Sequence, residues 1–469
     1  MSVISKKEIF ETVPVPKALA KMAVPTIISQ LINLIYNMVD AFFIGRTGNS
    51  YMMAATTVAL TLMMLNVAFS NLFGIGGGSL VSRLLGRGEP DGARSSSAFS
   101  CYGAILTAIV YSTLIGVFSE PVLRFLGASD ATVGYASGYS FYVIVCGSLP
   151  TLLSLTLAHL LRNAGYSARA SFGLSLGGVL NIALDPLFMF VIFPPGNEVT
   201  GAAVATLISN TAGLVYLLFA YFSASRTAPL SFSLKAASKI GANNFKQLFA
   251  VGIPSAILTA LFDLASICVN ILSSAHNDLV LAGMGIVMKV ERIPNAVNIG
   301  LCQGMLPIVA YNYSSGNRKR MNDTIRTARL IGLIVSGVCI LLLEILAGPV
   351  SGVFLSTSAA DARTAAITVS LAAFYLRIRC IASPFQFLNY HTSFCMQAMG
   401  KGKETLIHAA VRELVFYIPL MFLLDRLFGD ASLASSLPAG EALGAVFSLI
   451  LFYFVVQRTN HKKLKENLK

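Results

Sequence analysis

The chain has 469 residues, of which 55% are hydrophobic and only 12% charged, more apolar surface than a soluble domain can bury. That balance excludes a water-soluble globular fold. The formal net charge of +13 must then be read by position before it is assigned to nucleic acid.

Apolar runs of roughly 20 residues or more, each long enough to cross a ~30 Å hydrocarbon core as a helix, recur along the whole chain. In chain order they predict spans at Ala18–Ile44, Met52–Leu80, Ser96–Phe118, Gly134–Leu160, Ser167–Phe193 and Val199–Phe222. They continue at Gln247–Ser273, Leu279–Tyr311, Thr324–Leu346, Ala365–Met396, Thr405–Leu427 and Pro438–Val456. The second, eighth and tenth runs are longer than a bilayer needs, so they tilt, bend or project from it. A polar, Lys-containing stretch precedes the first run without a small-residue cleavage site, so that run reads as a retained first helix. The expected fold is an all-α polytopic membrane protein of twelve spans.

The polar interval Ser223–Asn244 divides these spans into two sets of six. The implied organisation is an amino-terminal lobe at 1–225, a cytoplasmic linker at 226–246 and a carboxyl-terminal lobe at 247–469. Sliding one half on the other by about 228 residues places Val24-Pro25 on Ile253-Pro254, Ala68 on Ala296, Gly76 on Gly304 and Gly88 on Gly316. An even number of spans per half returns the chain to its starting side, so the halves repeat with the same orientation about an axis along the membrane normal. The expected substrate site is a cleft between two pseudo-symmetric six-helix bundles.

About three quarters of the 34 Lys and Arg fall in the amino terminus, the even-numbered loops and the tail. Arg46, Arg124, Arg363 and Arg426 lie on the opposite side. This is the positive-inside pattern, with both termini cytoplasmic, and basic loops beside anionic lipid leave no need for a nucleic-acid partner. The seven cysteines lie inside or at the edges of spans without metal-ligand spacing and read as packing residues.

Ionisable residues within spans are costly and therefore candidates for function. The first span carries Asp40 and the fifth Asn181 and Asp185, with Tyr36, Asn37 and Thr206 of the sixth at related depth. Counting at ~1.5 Å per residue places Asp40, Asp185 and Thr206 roughly 7–12 Å below the outer surface. Tyr36 and Asp40, like Asn181 and Asp185, are spaced i, i+4 and share a helix face. Two carboxylates in one desolvated pocket either share a proton or bind a cation with amide and hydroxyl oxygens. Na⁺ and H⁺ suit this oxygen set equally.

The runs Pro25–Gly45 (PTIISQLINLIYNMVDAFFIG), Leu180–Pro186 (LNIALDP), Gly201–Ser209 (GAAVATLIS) and Gly304–Tyr313 (GMLPIVAYNY) resemble the multidrug and toxic compound extrusion (MATE) family. The resemblance covers essentially the whole chain. It implies a cation-coupled antiporter of small, cationic or amphipathic organic compounds, working by alternating access around a central cavity. It also implies an amino-lobe site for a coupling cation at Asp40, Asn181, Asp185 and Thr206, with no cofactor beyond Na⁺ or H⁺, a bacterial-type inner membrane as location, and a monomer.

A second group comprises Lys289, Glu291 and Arg292 of the eighth span, Arg377 and Arg379 of the tenth and Glu413 of the eleventh, with Asp263 of the seventh as partial counter-charge. All but Asp263 count to roughly 14–20 Å deep, near the midplane, so they must face each other or water. This group is expected to form either a structural ion-pair network or a substrate contact. Where other family members carry an acid in the tenth helix, this chain has Arg377 and Arg379, so a carboxyl-lobe cation site of that pattern is not expected.

The basic midplane group keeps a second transport reading open, a flippase or exporter of a lipid-linked or anionic substrate. A membrane-embedded enzyme is the competitor from another class. The five histidines have no ligand spacing, Gly74–Gly78 lies within a span, and no nucleotide-binding sequence is present, so the chain is not expected to be an enzyme.

Overall fold

A computed structural model describes residues 6–353 and 362–467, and among these every regular element is helical. A short helix, Lys6–Glu11, precedes the first span, α1 (Val15–Arg46). It is followed by α2 (Ser50–Arg87), α3 (Pro90–Val117), the bent α4 (Val133–Cys146 and Ser148–Asn163), α5 (Ser167–Ile192) and α6 (Glu198–Ser225). The second half contains α7 (Ala242–His276), α8 (Asp278–Ser315), α9 (Arg318–Val353) and the bent α10 (Arg363–Cys380 and Ser383–Ala398). The last apolar stretch is divided at Gly429, whose φ of 67° turns the chain between α11 (402–428) and α12 (Ser432–Asn467). Twelve spans result among the described residues. The extreme ends of both terminal segments lie outside the described residues.

Bends of 46° in α4 and 49° in α10 occur at corresponding places in the two halves. In each, a proline stands four residues after a cysteine, Pro150 after Cys146 and Pro384 after Cys380. Proline has no N–H for the carbonyl four residues back, and its ring crowds that carbonyl, so the helix breaks there. The tenth run was expected to tilt, bend or project. The bend in the fourth was not foreseen. Pro25 lies inside α1, which runs on through it as one helix.

The expected linker has an ordered structure. Its short helix Leu234–Ala237 lies against α3, with the Tyr102 hydroxyl donating to the Phe232 carbonyl at 3.2 Å and Ser231 N–H donating to Ser97 Oγ at 3.1 Å. The segment is thereby tied to the first six helices.

Among the described residues the two halves share a packed core at one end only. Leu19, Ala23, Ile75, Val251, Leu301 and Met305, from α1, α2, α7 and α8, belong to one buried cluster. The apolar clusters nearer the other end, around Met52 and Tyr139 in one half and around Val287 and Leu376 in the other, each draw on a single half. Close approach in the shared zone needs missing side chains. A Cβ on Gly76 of α2 would lie 2.9 Å from Gly252 Cα of α7, and one on Gly300 of α8 would lie 2.7 Å from Ile27 Cα of α1.

Hydrogen bonds joining the halves follow the same distribution. Gln30–Gln303 (3.3 Å), Asn71–Thr259 (2.9 Å), Arg83–Gln247 (2.9 Å) and Ser79 to the Gln397 carbonyl (2.6 Å) all lie toward the end that carries the chain's amino terminus. The short first helix closes that end. Arg320 of α9 donates to the carbonyls of Ile9, Phe10 and Val13 at 3.0, 2.6 and 2.6 Å, and Phe10 stacks on Tyr311 of α8. The result is a V, joined at the amino-terminal end and parted at the other.

Candidate cation site and carboxyl-lobe charge network

The amino-lobe group predicted from sequence converges. Asp185 and Asn181 of α5 are fully buried, and Asn181 Nδ2 donates to Asp185 Oδ1 at 2.9 Å and to Thr206 Oγ1 of α6 at 3.2 Å. Asp40 of α1 lies close enough to Asp185 for the two carboxylates to act on each other electrostatically, and Tyr36 is within reach of both. Asn37 spends its amide donor on the Asn33 carbonyl of its own helix, at 2.6 Å. The assembly depends on two glycines of α5. A Cβ on Gly178 would meet Tyr36 Cδ1 at 3.2 Å and one on Gly177 would meet the Ser209 carbonyl at 3.2 Å, so their absence lets α1 and α6 close on α5.

Sequence reasoning missed Tyr139 of the bent α4. Its buried ring lies within electrostatic reach of Asp40, Asp185 and Tyr36, and no spacing in its own segment distinguished it.

The pocket has an excess of acceptors. Asp40 Oδ1, Asp185 Oδ2 and Asn181 Oδ1 are all buried without a hydrogen-bond donor among the described residues. Each such atom costs ~1–3 kcal/mol, and more if its carboxylate is charged. Among the described residues no Lys or Arg acts on either aspartate. A proton on a carboxyl oxygen or a bound monovalent cation meets this deficit, and two neighbouring carboxylates free of basic partners cannot both stay ionised and empty.

The second predicted group separates into parts. Arg379 of α10 forms a two-pronged pair with Glu291 of α8, at 2.5 and 3.1 Å, and donates to the Leu433 carbonyl of α12 at 2.9 Å. Lys289 and Arg292 lie near each other on α8, and Asp263 of α7 is within electrostatic reach of Arg292. Glu413 is 2% exposed, 3.5 Å from Arg412. Arg377 does not belong with them. Its side chain is 54% exposed and stands 3.9 Å from Glu344 of α9, because two positions along a helix from Arg379 is about 200° around it.

The most buried part of the network was not anticipated. Arg412 is paired with Glu441 of α12 at 2.9 and 2.5 Å, Asn389 Nδ2 donates to Glu441 Oε2 at 2.7 Å, and the guanidinium lies 4.9 Å from the centre of the Tyr390 ring. A widened π-turn over Val411–Tyr417 carries both Arg412 and Glu413, which allows neighbouring residues to be buried together. Polar Asn389 and Tyr390, side by side in the tenth run, were the signal that a buried partner existed.

The MatE family model matches the chain twice, over residues 25–187 and 254–423, once in each six-helix half. The chain belongs to the MatE family. It is a multi-pass membrane transporter acting on small molecules rather than an enzyme. It is 29% identical over 451 residues to the multidrug export protein MepA of Staphylococcus haemolyticus and 27% identical over 449 to that of Staphylococcus saprophyticus, each match covering 96% of both chains. A solved MATE in complex with MaL6 matches with a TM-score of 0.91 at 19% identity, covering 98% of this chain and 100% of that one. An outward-facing multidrug resistance MATE transporter gives 0.90 at 19%, with the same coverage, and a Pyrococcus furiosus transporter described as having a reversed-polarity pocket gives 0.89 at 18%, covering 97% and 99%. At these identities the solved structures speak for the fold.

Proposed function

We propose that the protein is a multidrug exporter of the inner (plasma) membrane, in which a proton or Na⁺ moving inward through the Asp40–Asp185 pocket drives organic cations or amphipathic compounds outward. The observation that carries this reading is the set of three buried acceptors without donors, located beside α1 in the lobe whose far end is parted from its neighbour. With the basic loops assigned to the cytoplasm, both termini are cytoplasmic and the V opens outward. The cation then loads from outside and the substrate leaves to the same side. The MepA relatives are named as multidrug export proteins over nearly their whole length, in support of the same direction and substrate class. The protein acts as a monomer, since the cation pocket and the cleft are built within one chain.

In the loaded state a proton or cation neutralises the aspartate pair, and in the unloaded state the pair's charge favours an organic cation. Competition between the two occupants couples their movements. The test is efflux of a fluorescent cation from proteoliposomes under a pH gradient and, separately, a Na⁺ gradient. Efflux driven by one gradient and abolished in Asp40→Asn and Asp185→Asn supports the reading and names the ion. Undiminished efflux in both variants refutes it.

A further inference from the structure

A cavity in the carboxyl-terminal lobe, between α7, α8, α10, α11 and α12, holds two acceptors that the ion-pair network leaves over. Its polar wall contains Glu291 and Glu441, each already held by two prongs of an arginine, Arg379 and Arg412. Glu413 lines the same cavity at 2% exposure, and its 3.5 Å contact is with the guanidinium whose closer bonds go to Glu441. On the α8 side, Asn295 is 8% exposed, and its Oδ1 is buried without a donor. The opposing wall is apolar and includes Phe262, Val269, Met288 and Leu437.

Two left-over acceptors facing an apolar wall call for an occupant with N–H donors, a positive charge and a hydrocarbon body. We infer that this cavity is a second substrate subsite, which selects protonated amines or amidinium groups over fully alkylated ammonium by donating N–H to Glu413 and Asn295. The inference rests on the transporter reading and deepens it by naming a substrate class. A protonated amine and its fully alkylated counterpart carry the same positive charge, so discrimination between them comes from hydrogen bonding rather than net charge.

Isothermal titration of the purified full chain in lipid nanodiscs tests this, with 4-phenylbutylammonium and its N,N,N-trimethyl counterpart as probes. No gradient is imposed, so the outcome is independent of whether Asp40 couples transport. The wild type is expected to bind the ammonium about tenfold more tightly than the trimethyl probe, the worth of a charge-assisted hydrogen bond. Glu413→Gln and Asn295→Leu are each expected to reduce that preference to about threefold or less while leaving the trimethyl affinity in place. Should Glu413→Gln fail to elute as a folded monomer, Asn295→Leu, which keeps size and shape, decides alone. No preference in the wild type, or a preference retained in the folded variants, overturns the inference. A Glu413→Gln effect confined to the pH dependence of trimethyl binding, with the preference intact, makes Glu413 a proton site and also overturns it.

Discussion

Replacing Arg412 by methionine keeps most of the side-chain volume but removes both bonds to Glu441, the 3.5 Å contact to Glu413 and the stacking over Tyr390. Arg412 and Glu441 are 1% and 3% exposed, so the carboxylates left behind have little access to water. Stripping one partner from a buried pair costs about 3–5 kcal/mol, chiefly because the other charge is stranded. Glu441→Gln alone should cost less, since Asn389 still finds an acceptor 2.7 Å away. In the double variant Arg412→Met/Glu441→Gln the charge stranded on Glu441 is gone while that on Glu413 remains, and about 2 kcal/mol should be recovered relative to Arg412→Met. Reversible unfolding in mixed micelles, followed by SDS titration of all four proteins, measures the cycle. A loss of under about 1 kcal/mol in Arg412→Met, or no recovery in the double variant, would refute the assignment of this pair as a clamp on α11 and α12.

Three further outcomes follow from the packing. Gly178→Ala places a methyl 3.2 Å from Tyr36 and 3.0 Å from Ile32, pushing α1 from α5, so gradient-driven efflux in proteoliposomes should fall about tenfold while folded protein remains. Gly252→Val brings side-chain atoms into the Leu72 backbone of α2, so spin-label distances across the amino-terminal end should shift toward a separated population; unchanged distances would contradict the close packing. Arg320→Ala removes three donors from the Ile9, Phe10 and Val13 carbonyls, and hydrogen exchange over residues 6–13 should quicken by about tenfold or more.

Much of the architecture was legible because each span must be apolar on its own, which makes span recognition a local property of sequence. The amino-lobe group was legible for a related reason. Asp40, Asn181 and Asp185 stand out against apolar neighbours, and counting residues from helix ends gave a common depth. What depended on rotation about a helix axis was not legible. Arg377 and Arg379 looked equivalent until the structure placed one against Glu344 and the other against Glu291. Glu441 sits nine residues into α12, close enough to its start to read as interfacial, and its partner Arg412 was overlooked beside Glu413. The bend of α4 was present in the spacing of Cys146 and Pro150, repeated at Cys380 and Pro384, but only the superposed halves make that repetition visible.

A molecule packed together at one end and parted at the other does not occupy equal areas in the two leaflets of a bilayer. The shared cluster around Ala23, Ile75, Val251 and Leu301 fixes which leaflet has the narrower footprint in this state, and opening the opposite end would exchange the two areas. Lateral pressure therefore enters the conformational equilibrium alongside the cation and the substrate. Lipids that crowd one leaflet more than the other will favour one direction of opening without touching either binding site.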